Sequence, residues 1–98
     1  MSPPDQRVTI VDRPDRDQYE IELDGRRVGL LAYRVADGAI THSHTEIDPS
    51  VGGRGLGSAL VRFALDDARA RGLTVMPRCP FVAAFIERHP DYEDLVTT

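Results

Sequence analysis

Apolar and polar side chains alternate over most of the first half of the chain. Val8-Thr9-Ile10-Val11 reads as a short strand, followed by a connector that holds Pro14 among Asp and Arg. Tyr19, Ile21 and Leu23 then alternate with Glu20 and Glu22, the period-two pattern of a half-buried strand. Asp24-Gly25 predicts a tight hairpin, because both residue types tolerate positive φ. From Arg26 to Val35, Val28, Leu30 and Ala32 fall on one side and Leu31, Tyr33 and Val35 on the other, which predicts a central strand covered on two faces. A second hairpin signal, Asp37-Gly38, leads into Ala39 to Ile47, an unusually polar strand that Asp48-Pro49 ends. Regular alternation there puts Ile40, His42, His44 and Glu46 on one face and Thr41, Ser43, Thr45 and Ile47 on the other.

The period then changes. Beyond the glycine-rich segment Gly52 to Gly57, the residues Leu56, Ala59, Leu60, Phe63, Ala64 and Ala68 recur at helical spacing, and Gly72 is a good stop. Leu73-Thr74-Val75-Met76 is a compact strand, and the helix before it is long enough for a β-α-β crossover. Pro80 suits the first turn of a second helix, Phe81 to Arg88, with Val82, Phe85 and Ile86 as its apolar stripe. Pro90 ends it, and Asp91 to Thr98 is a short tail that Tyr92 packs back onto the domain. The expected class is α+β: an antiparallel four-stranded meander, a helix, a parallel strand and a C-terminal helix. Both strand-to-helix connections fall at carboxyl ends of strands, which brings Gly55 and Cys79 toward one sheet edge.

Composition narrows the field. With 98 residues the chain predicts one compact domain behind a loose tail at residues 1–6. A formal net charge of −4 argues against a nucleic-acid footprint for the domain as a whole. Every one of the 12 cations is Arg, which reads as compositional bias. The single cysteine, Cys79, forms no internal disulfide, and no apolar run is long enough to cross a bilayer, so the expected location is cytoplasmic. The chain does not reveal an oligomeric state.

Four groups of residues carry chemistry. In Gly52-Gly53-Arg54-Gly55-Leu56-Gly57-Ser58, the glycines let backbone N–H groups close around an anion at a helix N-terminus. Arg54 and Ser58 add a guanidinium and a hydroxyl. A turn entering a helix is the plainer reading, but three glycines at alternate positions exceed what turning needs. Cys79 lies between a strand and a helix beside Arg78, a setting that favours thiolate, although a lone cysteine is more often a small buried apolar residue. His42 and His44, with Glu46, could begin a metal site but lack a further ligand, so none is expected. A histidine acting as general base near Cys79 fits better. His89-Pro90-Asp91-Tyr92 reads as a C-terminal lock.

Ile47-Asp48-Pro49 through Gly53-Arg54-Gly55-Leu56-Gly57-Ser58-Ala59-Leu60 resembles motif A of the GNAT-type N-acetyltransferases, with Gly52 standing where that superfamily has Gln or Arg. His44-Thr45-Glu46-Ile47, Pro77-Arg78-Cys79-Pro80-Phe81 and His89-Pro90-Asp91-Tyr92 look like the signature of a small single-domain branch. Larger members insert helices between the first two strands, and the interval from Val11 to Gln18 is too short for that. The resemblance implies binding of acetyl-CoA or CoA by Ile47, Gly53, Arg54, Gly55, Leu56, Gly57 and Ser58, with Cys79 and His44 as the reactive pair. Either Cys79 takes the acetyl group before an amine does, the route it favours slightly, or His44 deprotonates an amine that attacks the thioester directly. The acceptor is a small-molecule or peptide amine. So small a domain leaves a thin acceptor site, so a CoA-binding module without turnover, a sensor or subunit, is the alternative.

Overall fold

The computed structural model describes residues 7–97, so the expected tail at 1–6 lies outside the described residues. One five-stranded sheet runs β1 (Val8–Arg13), β2 (Gln18–Leu23), β3 (Arg26–Ala36), β4 (Ala39–Ile47) and β5 (Thr74–Pro77), in that spatial order. β1 to β4 are antiparallel neighbours, and β5 lies parallel to β4. Helix α1 (Leu56–Ala70) makes the β4–β5 crossover, and α2 (Pro80–Arg88) follows β5.

Both Asp-Gly hairpins form as expected. Asp24 and Gly25, and Asp37 and Gly38, all have positive φ, the conformation that matches a two-residue turn to the twist of its strands. Gly72 has φ 69° just past α1, where the Leu73 amide returns to the Ala68 carbonyl.

The core occupies one face of the sheet. Tyr19, Ile21, Leu31, Tyr33, Ile40 and Val75 share that face by strand register, and α1 buries Leu56, Leu60, Val61, Ala64, Leu65 and Ala68 against them. Val61 and Leu65 widen the helical stripe read from the sequence. Phe63 sits at its edge, with its ring edge-on to Tyr19 at 5.8 Å. α2 joins the same core through Val82, Phe85 and Ile86.

The expectation that β3 is covered on both faces is corrected. Leu30 and Ala32 are only partly buried, because both helices pack on the other side. The C-terminal lock does form. Residues Pro90–Leu95 make a 3-10 turn, the Tyr92 hydroxyl donates to Asp66 Oδ1 at 2.7 Å, and the His89 ring stacks on Phe85 at 4.0 Å.

Two irregularities break the alternation. The β2–β3 register shifts between Ile21 and Glu22, and the β3–β4 register shifts between Ala32 and Tyr33. In the second, Tyr33 pairs with His42 and Ala32 with His44, so Ser43 is an extra residue on β4. Its consequence is functional.

Candidate active site

The bulge at Ser43 overturns the expected face assignment of β4. Ile40 and His42 stand beside Val35 and Tyr33 on the helix-covered face. Beyond the extra residue, Thr45 and Ile47 continue that face, opposite Leu31 and Gly29. His44 and Glu46 pair with Ala32 and Leu30 on the uncovered face. The candidate His-His-Glu grouping is therefore split across the sheet. Among the described residues, no three His, Cys, Asp or Glu side chains converge as metal ligands.

The bulge also coincides with the place where the sheet opens. Pairing between β4 and β5 extends only from Ala39 to His42, and the Cys79 amide then donates to the His42 carbonyl at 2.9 Å. From Ser43 to Ile47, β4 has no partner in β5, so its backbone there can pair with an extended ligand.

At the carboxyl end of β4 the chain makes a single 3-10 turn, Pro49–Val51, capped by Asp48, whose carboxylate accepts from the Ser50 amide at 2.9 Å. The glycine segment follows. Gly53 and Gly55 have φ of 79° and 76°, and a side chain at either would project into open space rather than into protein. The first intrahelical bond of α1 runs from the Ala59 amide to the Gly55 carbonyl. The amides of Leu56, Gly57 and Ser58 therefore have no carbonyl in a preceding turn, and they point out of the positive end of a fifteen-residue helix. Ile47, Gly53, Gly55, Leu56, Gly57 and Ser58, all expected at this site, line one cavity of about 290 Å³ together with Val51, Gly52 and Phe81. Arg54 is exposed between the two positive-φ glycines and is not part of the cavity wall. These features suit a pyrophosphate: unclaimed amides, a helix dipole, and no side chain in the way.

Phe81, part of the Pro77-Arg78-Cys79-Pro80-Phe81 signature and the expected start of the second helix, is not among the residues expected to hold the cofactor. Its ring lies where a Cβ on Gly57 would be, only 2.9 Å from that position. Gly57 thus serves close packing against Phe81, while Gly53 and Gly55 serve backbone shape. A glycine inside an otherwise regular helix was the one signal that a bulky group lies opposite.

The two expected catalytic residues flank the opening from opposite faces. Cys79 is the N-cap residue of α2, buried, with Sγ 3.4 Å from Thr45 Oγ1 on the helix-covered side. Burial pushes its thiol up, but the Thr45 hydroxyl and the backbone amides of Val82, Phe81 and Thr45 outweigh this and hold it below the ordinary value. His44 is on the uncovered side and exposed, and its Nε2–H donates to Glu46 Oε2 at 2.8 Å. That bond leaves Nδ1 as the basic nitrogen. The structure does not bring His44 and Cys79 into contact. It pairs each with a different neighbour on β4.

A family model described as GCN5-related N-acetyl-transferase matches residues 18–95, most of the chain and the whole of the opening just described. The chain belongs to the GCN5-related N-acetyltransferases. Acetyl transfer from acetyl-CoA to an amine is the chemistry of that family. The fold agrees with solved structures. A GCN5-like putative N-acetyltransferase from Staphylococcus aureus superposes with a TM-score of 0.68 at 22% identity, over 99% of this chain and 91% of that one. A ribosomal-protein-alanine N-acetyltransferase from Brucella melitensis gives 0.59 at 19% identity, over 83% of this chain and 61% of that one. An N-acetylglutamate synthase from Neisseria gonorrhoeae, solved with coenzyme A and N-acetyl-glutamate, gives 0.59 at 18% identity, over 88% of this chain but 23% of that one. No curated protein matches by sequence. Among the described residues no helix is long and apolar enough to cross a membrane.

Proposed function

We propose that this chain is itself an acetyl-CoA-dependent N-acetyltransferase that works by direct transfer. The pyrophosphate of acetyl-CoA rests on the amides of the Gly53–Ser58 segment, and its thioester arm runs along the unpaired edge of β4 between Ile47 and Phe81. Backbone amides of β4 in the opening stabilise the developing oxyanion. The amine approaches from the uncovered face, where His44 takes its proton and Glu46 holds the imidazole in place. The nitrogen attacks the thioester carbonyl, the C–N bond forms, the C–S bond breaks, and the departing thiolate takes a proton from the Cys79 thiol on the other side. The observation that carries this reading is the separation of Cys79 and His44 onto opposite faces. A covalent route through Cys79 with His44 as its base needs the two side chains together, so the direct route is preferred here. A cytoplasmic location is proposed with it.

Calorimetry with CoA, followed by an acetyl-transfer assay, tests the proposal. Gly55→Val puts a branched side chain at a left-handed position and into the anion's space. Losing about two amide–phosphate bonds predicts roughly a hundredfold weaker CoA binding. His44→Gln should lower kcat with CoA affinity retained, and mass spectrometry should find no acetyl adduct on Cys79. An adduct that forms and decays at the turnover rate would restore the covalent route. CoA binding without transfer to any amine would leave a CoA-binding module.

A further inference from the structure

The uncovered face carries an arginine cluster that the reading above leaves unused. Glu20 on β2 is 3% exposed although no helix covers it. Arginine side chains surround its carboxylate instead. Arg16 Nη1 lies 3.2 Å from its Oε2, Arg27 Nη1 3.5 Å from the same oxygen, and Arg13 Nε 3.6 Å from Oε1. Gln18 donates to Oε2 at 2.7 Å. Three guanidinium groups thus converge on one carboxylate. Each Arg side chain is about half exposed, at 45%, 59% and 50%, and carries more donors than one carboxylate can accept. Arg34 shares the face with them, as do Glu22 and, across β4, Glu46.

Register fixes where this patch lies relative to His44. One row across the sheet reads Gln18, Ala32, His44, and the next reads Glu20, Leu30, Glu46. The arginine-capped Glu20 is therefore two strands from the His44–Glu46 pair, about 10 Å at ordinary strand spacing. Between them lies a low floor of Leu30 and Ala32, both half-buried. A hollow of about 200 Å³ lies where the start of β3 meets the end of β4, lined by the consecutive residues 27–30 and 46–49 of both faces, and it shares Ile47 with the cavity of the glycine segment.

We infer that the acceptor is a linear amino carboxylate. Its amine sits at His44 and Glu46, its methylene chain lies over Leu30 and Ala32, and its carboxylate meets the free donors of Arg13, Arg16 and Arg27. This rests on the acetyl-transfer reading for the role of His44, but the binding site itself does not. A positive end and a negative end about 10 Å apart, joined by an apolar floor, select a molecule with opposite charges at the two ends of a chain.

The test separates the two claims. Amide chemical shifts are followed as 6-aminohexanoate, hexylamine, hexanoate and 1,6-diaminohexane are titrated into the CoA-saturated protein, and the same four compounds are offered in the transfer assay where they carry an amine. The expected result is tightest binding of 6-aminohexanoate, with shifts centred on Leu30, Ala32 and Glu46. Arg16→Gln and Arg27→Gln are exposed changes, each expected to weaken that ligand about fivefold while leaving hexylamine unchanged. Equal or tighter binding of hexylamine or the diamine would overturn the inference, as would 6-aminohexanoate affinity indifferent to both substitutions. Arginine-dependent binding of 6-aminohexanoate without any transfer would uphold the site and sink the proposed activity instead.

Discussion

Among the described residues each face of the sheet buries one titratable polar side chain, Glu20 on one and His42 on the other, and the two do so by opposite means. On the uncovered face Glu20 keeps its charge. Burial works against the carboxylate, but hydrogen bonds from Gln18 and Arg16 and the fields of Arg16 and Arg27 prevail, and hold its carboxyl below the ordinary value. On the helix-covered face His42 is fully buried, and neither ring nitrogen has a protein hydrogen-bond partner. With nothing to compensate a charge, burial alone pushes the imidazole down to about 4. A face that long, half-exposed arginines can reach tolerates an ion. A face sealed by packed helices discharges its titratable group. The same contrast separates Cys79, on the sealed side against Thr45, from His44, in the open beside Glu46.

The largest expected departure from this picture is in acid. The folded-state value of His42 is depressed from 6.5 to about 4. Between those values the unfolded chain takes up a proton that the folded one refuses. Stability from this source is therefore full above about pH 6.5 and is lost as pH falls toward 4, at about 1.4 kcal/mol per pH unit, on the order of 3 kcal/mol in all. His42→Leu removes the refusal together with the unpaired nitrogens. Its Tm should match or exceed that of the parent at pH 7 and exceed it by roughly 10–20 °C near pH 4.5. Parallel Tm curves for the two proteins across this range would mean that His42 is not held neutral by burial.

Next in size is the bulge. Deleting Ser43 leaves Tyr33 opposite His42 and Ala32 opposite His44, so both histidines keep their faces, and the strand becomes regular. What it removes is the local kink that accompanies the parting of β4 from β5. The expected outcome is a folded protein with CoA binding weakened about tenfold, or about 1.4 kcal/mol. Calorimetry giving unchanged affinity would show that the opening is set elsewhere, for example by Pro77.

These irregularities mark the boundary of what the chain announces. The Asp-Gly turns, the glycine segment, Gly72 and Pro80 were legible because each demands a backbone shape that few residues supply. The amphipathic stripe of α1 was legible because burial imposes a period. A bulge imposes neither. Ser43 is one polar residue within a polar strand, and nothing in its neighbours distinguishes an extra residue from the next step of an alternation. The orientation of His44 was therefore misread, while six of the nine residues that line the glycine cavity stand in the segment whose backbone shape the glycines announce or just before it, and Val51, Gly52 and Phe81 do not follow from that signal. β3 was misjudged for a related reason. Leu30 and Ala32 look like the second buried side of a central strand, but no helix packs on that side and both stay half-buried, which apolar character alone does not announce.

Glu20→Gln gives the gentlest test of the contrast. The amide keeps the shape and can still accept from Gln18, so packing is preserved. What is lost is the charge that three guanidinium groups face. Because those groups are half exposed, solvent screens much of the attraction, and the expected cost at pH 7 is about 1 kcal/mol, shrinking in high salt. The sign in acid is opposite to a gain. A carboxyl whose folded value is depressed contributes stability that is present above the unfolded value, 4.5, and lost as pH falls through the folded one. The parent and Glu20→Gln should therefore converge below that range and run parallel above it, whereas the parent and His42→Leu diverge between pH 6.5 and 4. Two acid losses, one spread from pH 6.5 to 4 and one starting only at about 4.5, each abolished by one substitution on one face, is the expected outcome. A single substitution that flattened both windows would show that the faces are coupled through the sheet.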